Sequence, residues 1–294
     1  MTSVLELPAL HPHAGYAPAR PAPDWSRPAQ LSELGTIDLP SLVAAGNLQT
    51  RLDRKYLVPE CLIPDLLGQF RDSVLVLQID RHRRFGYRTV YFDTTDATSY
   101  LATTRRRRLR YKVRTRIYLD SGDCFLEVKT KDGRGRTVKT RTPHPLRDAD
   151  RLTDEARAFL ADELAGRLAD PEADIERLAP ALSTHYQRAT LFLPDDAARV
   201  TIDTDLVARE HGGQVLHLDG QAIVETKSGR AASAMDRALW RAGHRPIKVS
   251  KFATCLAALD PSLPASKWRP ALRRIHAVPL PPEAAGPALP PEAA

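Results

Sequence analysis

Residues 105–131 read RRRRLRYKVRTRIYLDSGDCFLEVKTK, and this stretch decides the fold. Two runs, RYKVRTRIYL and CFLEVKTK, flank a turn at Asp120-Ser121-Gly122-Asp123. Both alternate with period two, the spacing at which successive side chains point to opposite faces of a strand. Lys112, Arg114 and Arg116 fall on one face of the first run, with Val113 and Ile117 on the other. Glu127, Lys129 and Lys131 share a face of the second, opposite Leu126 and Val128. The hairpin therefore has one apolar face and one crowded with cations. Like charges side by side on a sheet repel each other, so an anion is expected to lie against that face.

The same alternation recurs on both sides of the hairpin. Strands are expected over 48–58, 75–79, 87–93 and 137–142, in the segment 181–193, and over 198–206 and 222–227. Lys139 and Arg141 share a face of the strand after the hairpin, and Glu225 and Lys227 share a face near the end of the series. Helices are expected over 39–45, 60–70, 100–105, 150–168, 171–178 and 231–242, and from Ser250 to Leu259 with Ser250 as N-cap. Many strands, most with a charged face, and helices clustered between strand groups suit an antiparallel α+β domain with a closed or nearly closed sheet. If the apolar strand faces pack outward against helices, the charged faces line a lumen. Cations there must be paired or neutralised by a ligand.

Three segments follow from composition. Residues 1–38 form a Pro/Ala-rich tail without helical or strand period, residues 39–260 the folded domain, and residues 261–294 a second Pro/Ala-rich tail expected to be irregular. The formal charge of +7 is concentrated mid-chain and calls for an anionic partner. Nucleic acid is disfavoured, because the aromatic residues are not interleaved with the cations as a stacking series and carboxylates sit among them. Those carboxylates favour a bound divalent metal. The sequence has no P-loop or dinucleotide-binding glycine pattern. Its three cysteines, Cys61, Cys124 and Cys255, lack zinc spacing and read as reduced thiols in a cytoplasmic protein. No signal peptide is apparent, and no apolar run reaches the length needed to span a bilayer.

RLDRKYLV (51–58), YRTVYFDT (87–94), KVRTRIY (112–118), FLEVKTK (125–131), TVKTR (137–141), YQRATL (186–191), RVTIDTDL (199–206), IVETK (223–227) and VSKF (249–252) together form an ordered series. The series resembles the VTC domain, the catalytic domain of the vacuolar transporter chaperone complex. That resemblance implies an eight-stranded antiparallel β-tunnel of the triphosphate tunnel metalloenzyme type. It also implies ATP-dependent synthesis of inorganic polyphosphate, with ATP and polyphosphate or pyrophosphate as partners and Mn²⁺ or Mg²⁺ as cofactor. Carried over residue by residue, it assigns phosphate binding to Lys55, Arg114, Arg116, Lys129, Arg188, Arg199 and Lys251, with Lys139 as a further position. It makes Tyr186 and Ser250 supporting hydrogen-bond donors and Glu225 the metal ligand. RLDRKYLV also resembles the ExExK opening of the CYTH branch, but Arg51 and Asp53 replace its two glutamates. Loss of the first carboxylate favours the VTC branch. On the same tunnel, an inorganic triphosphatase or polyphosphatase and a non-catalytic polyphosphate-binding module are the alternatives. Relatives that feed the chain across a bilayer do so beside membrane-embedded subunits, so the resemblance implies either a separate membrane protein as partner for that step or a product that stays in the cytoplasm. The run Arg105–Arg108 is left open between the tunnel mouth, anionic lipid and no role.

Overall fold

Strand β5 (Arg110–Tyr118) pairs antiparallel with β6 (Cys124–Lys131), and β6 with β7 (Thr137–Pro143), which sets the hairpin at one end of a larger sheet. On its other edge β5 meets β4 (Phe85–Asp93). The sheet then continues through β8 (Ala179–Leu193), β9 (Ala198–Glu210) and β11 (Gln221–Ser228) to β2 (Leu52–Pro59). This computed structural model describes residues 31–45, 52–132, 136–166, 171–211, 213–275 and 277–280. Among them, β2-β11-β9-β8-β4-β5-β6-β7 is a continuous run of eight antiparallel strands, as expected for the tunnel. Residues 48–51, including Arg51, the turn at 133–135, residues 1–30 of the first expected tail and residues 276 and 281–294 of the second lie outside the described residues.

The sequence alternation sets which face is buried. Along β5 buried and half-exposed residues alternate without a break. Tyr111 and Val113 pack with Leu126 and Val128 of β6 against Leu160 and Leu164 of α4 (Asp154–Leu164) and Ile175 of α5 (Pro171–Glu176). The far side of the sheet repeats the arrangement. Tyr56, Val58, Val200, Ile202 and Val224 bury against Ile63 and Leu66 of α2 (Ile63–Gly68) and Leu239 of α6 (Ala234–Arg241). Helix α4 begins four residues later than expected, because Thr153 caps it by accepting the Ala156 amide. Asp93, at the end of β4, accepts the amides of Thr94, Ser99 and Tyr100 and so fixes the start of α3 (Thr98–Thr104).

A third apolar cluster lies on the enclosed face. Helix α7 (Lys251–Leu259) inserts Phe252, Ala253 and Leu256 among Leu57, Tyr91, Leu182, Tyr186, Leu206 and Ile223. A kink in β9 makes room for it: Asp205 has φ 52°, and the β8–β9 register shifts there, between His185/Val207 and Gln187/Thr204. The slip turns Leu206 and Ala208 toward the helix, since a one-residue slip exchanges the two faces of a strand. Helix α7 thus stops one side of the tunnel with apolar side chains and presents its first turn to the charged part of the lumen.

The structure departs from the expected tails. Leu31 and Leu34 are core residues, and Gly35–Ile37 is a strand (β1) parallel to β3 (Leu75–Leu77). It is followed by the expected helix α1 (Leu39–Ala45). At the other end, residues 261–275 fold back onto the domain instead of running free. Trp268 and Ala271, at and within α8 (Arg269–Leu272), are buried, Trp268 Nε1 donates to Thr104 Oγ1 at 3.0 Å, and β12 (Ala277–Leu280) pairs with β10 (Val215–Leu218). Proline content hid a helical spacing of Trp268, Leu272 and Ile275. The short strand β10 was not expected either.

Candidate functional site

The cations of the lumen are organised by three carboxylates. Asp203 on β9 is 1 % exposed and takes a bidentate pair from Arg188 on β8, with Nε at 2.5 Å and an Nη at 2.8 Å. Lys251, the first residue of α7, also donates to it. Burial on its own would raise the Asp203 carboxyl, but Arg188 and Lys251 hold it far below the usual carboxylate range. Arg188 is fixed from its other side by the rings of Tyr87 and Tyr186, 5.1 and 5.3 Å from its guanidinium carbon. Those two rings stack in parallel, 5.3 Å apart. Lys251 Nζ lies 4.4 Å from the centre of the Tyr186 ring.

Glu127 on β6 is the second centre, likewise 1 % exposed. Arg114 donates to its Oε2 at 2.7 Å and Lys139 to its Oε1. Arg116 Nε, 3.9 Å from Oε2, is too far to donate and is buried without a hydrogen-bond partner. Burial pushes the Glu127 carboxyl up, yet Arg114, Arg116 and Lys139 hold it at about 2. One buried carboxylate thus answers three cations, and Arg116 retains donor capacity aimed at the lumen.

Glu225 on β11 is the third, paired with Lys55 Nζ at 3.3 Å and with Lys227. Lys227 also approaches Asp53 at 3.5 Å. Thr201, the cross-strand neighbour of Glu225, has a buried hydroxyl without a partner. Among the described residues no three His, Cys, Asp or Glu side chains come together as a metal cage. A hard divalent ion bound to a phosphate substrate needs only one or two protein carboxylates, the rest of its shell coming from phosphate and water. Glu225, with Asp53 nearby, meets that requirement.

The structure therefore brings Lys55, Arg114, Arg116, Lys139, Tyr186, Arg188, Lys251 and Glu225 to one enclosed face. Lys129 lies in cross-strand register with both Lys112 and Lys139. Arg199 stands opposite Lys227, on the same face of β9 as Thr201 and Asp203. Ser250 caps α7 by accepting the Ala253 amide at 3.3 Å, and its hydroxyl also accepts from Lys112 Nζ at 3.3 Å.

Lys112 is the residue that sequence reasoning placed on the charged face without assigning it to the site. Among the described residues its ammonium has no carboxylate within salt-bridge distance, and it rests against Phe252 and Tyr91, 5.1 and 5.8 Å from their ring centres. Enclosure first, and then the charges of Arg114, Lys55, Lys129 and Lys267, pull Lys112 down to about 7. Unfolding returns it to the ordinary lysine range, so between pH 7 and that range the unfolded chain holds the extra proton. Stability of the empty protein from this group is accordingly lowest below pH 7 and recovers as pH rises. An anion in the lumen restores the proton. Tripolyphosphate affinity is therefore expected to fall from pH 6 to pH 8 more steeply in the wild type than in Lys112→Met. Titration calorimetry of the two proteins checks this, and parallel profiles would remove Lys112 from the anion site.

A family model described as the VTC domain matches residues 50–260. No curated protein matches the chain. Among solved structures, a candidate adenylyl cyclase from Hippeastrum, described as having a dominant triphosphatase activity, aligns at 16% identity with TM-score 0.43. The alignment covers 74% of this chain and 100% of that one. A candidate adenylate cyclase from Vibrio parahaemolyticus aligns at 15% identity with TM-score 0.36, covering 66% of this chain and 84% of that one. A Pyrococcus horikoshii protein aligns at 11% identity with TM-score 0.39, covering 70% and 96%.

Proposed function

Because this chain belongs to the VTC domain family, we propose that it is a polyphosphate polymerase, moving the terminal phosphoryl group of ATP onto the end of a growing polyphosphate chain inside the tunnel. The observation that carries this reading is the lumen itself. Cations from β2, β5, β7, β8 and α7 converge on three carboxylates of the lumen, and they outnumber those carboxylates. Phosphoryl transfer asks mainly for charge neutralisation and in-line placement. Arg114, Arg116 and Arg188 offer planar forks that suit phosphate oxygens, and Lys55, Lys129, Lys139, Lys251 and Arg199 add further charge.

In the reaction, an oxygen of the chain's terminal phosphate bonds to the γ-phosphorus while the bond to the ADP oxygen breaks, and ADP leaves with the electron pair. The attacking oxygen is already anionic, so no general base is required. Glu225, with Asp53, would hold the divalent Mn²⁺ or Mg²⁺. When bound, that ion supplies Lewis-acid stabilisation of charge on the phosphate oxygens. Arg188, braced by Asp203 and two tyrosine rings, keeps its position as charge shifts during transfer. No described helix is long and apolar enough to cross a membrane; if the product is exported as in chain-translocating relatives, a separate membrane protein would be the partner for that step.

A triphosphatase on the same tunnel would need a carboxylate to position and deprotonate water. The two most buried lumen carboxylates, Glu127 and Asp203, are held by arginine and lysine and kept strongly acidic, which makes them poor bases. The decisive test incubates pure protein with ATP, Mn²⁺ and a pyrophosphate or triphosphate primer, and follows ADP, free phosphate and chain length. ADP with lengthening chains is expected. Free phosphate from triphosphate without chains would make the protein a hydrolase, and tight chain binding without turnover would make it a binding module. In the same assay Glu225→Gln is expected to lose metal-dependent turnover by roughly tenfold or more. Full metal-dependent turnover in that variant would remove Glu225 as the ligand.

A further inference from the structure

The cation rows of the hairpin do not stop at the lumen. Across β5, β6 and β7 the register sets Arg114–Glu127–Arg141, then Lys112–Lys129–Lys139, then Arg110–Lys131. Each row lies two residues along the strands from the last, a step of about 6.8 Å. Only the first contains a carboxylate. Beyond the third row the folded-back C-terminal segment adds Lys267, whose Nζ donates to Thr103 O at 2.5 Å and rests over the Trp268 ring at 4.6 Å. Lys267 is half-buried, and Lys248 and Arg106 nearby are exposed. Among the described residues, no carboxylate lies within 4 Å of Arg106, Arg110, Lys112, Lys131, Lys248 or Lys267.

These groups are close enough to act on one another. Lys267 is pulled down to about 8, first by burial and then by Arg110, Lys248, Arg106 and Lys131. Lys267 is also among the charges that depress Lys112 inside the tunnel. It therefore joins two groups of cations, one enclosed and one at the surface. The match to the family model ends at residue 260, so Lys267 lies outside it. Inside the tunnel, Asp203, Glu127 and Glu225 balance part of the charge. Along this outer path no carboxylate among the described residues pairs with Arg106, Arg110, Lys131, Lys248 or Lys267, and like charges gathered on one surface are costly unless a polyanion covers them.

We propose that Arg106, Arg110, Lys131, Lys248 and Lys267 form an outer track, continuous with the lumen through Lys112 and Lys129, that binds the part of a linear polyphosphate chain projecting from the tunnel. The inference rests on polyphosphate being the tunnel's ligand. It adds a second binding region that only chains longer than the lumen reach. Arginine and lysine spaced along a path suit a repeating anion without base or sugar, because every contact is to phosphate charge.

The test compares the wild type with Arg106→Gln/Lys131→Gln/Lys248→Gln, all three side chains being at least partly solvent-exposed and without a carboxylate partner among the described residues. Affinities are measured for inorganic tripolyphosphate, for long-chain polyphosphate and for vesicles of equimolar phosphatidylserine and phosphatidylcholine, each over a range of salt. Tripolyphosphate affinity is expected to stay unchanged, which also shows that the variant is folded. Long-chain affinity is expected to fall roughly tenfold or more, and its log–log salt slope to shrink by about two. An unchanged ratio of long-chain to tripolyphosphate affinity overturns the track and leaves the tunnel reading standing. Loss of vesicle binding with long-chain affinity intact makes the patch a membrane-facing surface and likewise overturns the track. A wild type that binds neither phosphate probe overturns both readings.

Discussion

Arg188→Ala is expected to reduce polymerisation from ATP by about a thousandfold, or ~4 kcal/mol of transition-state stabilisation, the effect of removing one preorganised charge donor from an enclosed site. Three features single out Arg188 among the lumen cations. Its guanidinium is clamped bidentately by a buried carboxylate, lies near the stacked Tyr87 and Tyr186 rings, and is placed beside Lys251. Such a group loses little entropy on meeting phosphate and does not reorient during transfer. Arg188→Lys keeps the charge but loses the fork, so it should recover only part of the rate. Steady-state kinetics with ATP and primer check this. If Arg188→Ala retained more than about a tenth of wild-type kcat, transition-state stabilisation would have to lie elsewhere in the tunnel.

Asp203→Asn is expected to destabilise the protein by roughly 3–5 kcal/mol, because it leaves buried Arg188 and Lys251 facing each other without the charge between them. The loss should be largest at neutral pH. Asp203 is held below its unfolded value, so the stability it provides is present above the ordinary carboxylate range and disappears as the solution is acidified through the lower folded value. Thermal unfolding of the two proteins at pH 7 measures the effect. Added tripolyphosphate should restore more stability to the variant than to the wild type, since the ligand's charge replaces the missing carboxylate. Equal restoration in both would mean that the ligand does not reach Asp203.

The two expectations draw on different parts of the molecule, and these were unequally legible in the sequence. Strand faces were the clearest. Alternation placed Lys112, Arg114, Arg116 and Glu127 on one side of the hairpin, and a period of two leaves a side chain no other option once its neighbours are buried. Lys251 could not be found that way. It opens a helix, where period two has no meaning, and only the VSKF resemblance pointed to it. The carboxylates were visible, but not their roles. Glu127 and Asp203 alternate with the cations as Glu225 does, and only the tertiary arrangement shows that Glu127 answers three cations and Asp203 two. Proline and alanine after residue 260 obscured Trp268, whose burial carries Lys267 to the tunnel. Lys112 was in view throughout, yet its want of a carboxylate partner depends on what α7 and β6 bring near it.

The central claim is that the enclosed cationic face is where a phosphate chain sits. A crystal structure of the protein with inorganic tripolyphosphate tests it most directly. Phosphate density within hydrogen-bond distance of Arg114, Arg116, Arg188 and Lys251 is the predicted result. Ordered tripolyphosphate bound elsewhere, with Asp203 and Glu127 still holding those side chains as in the empty protein, would contradict it.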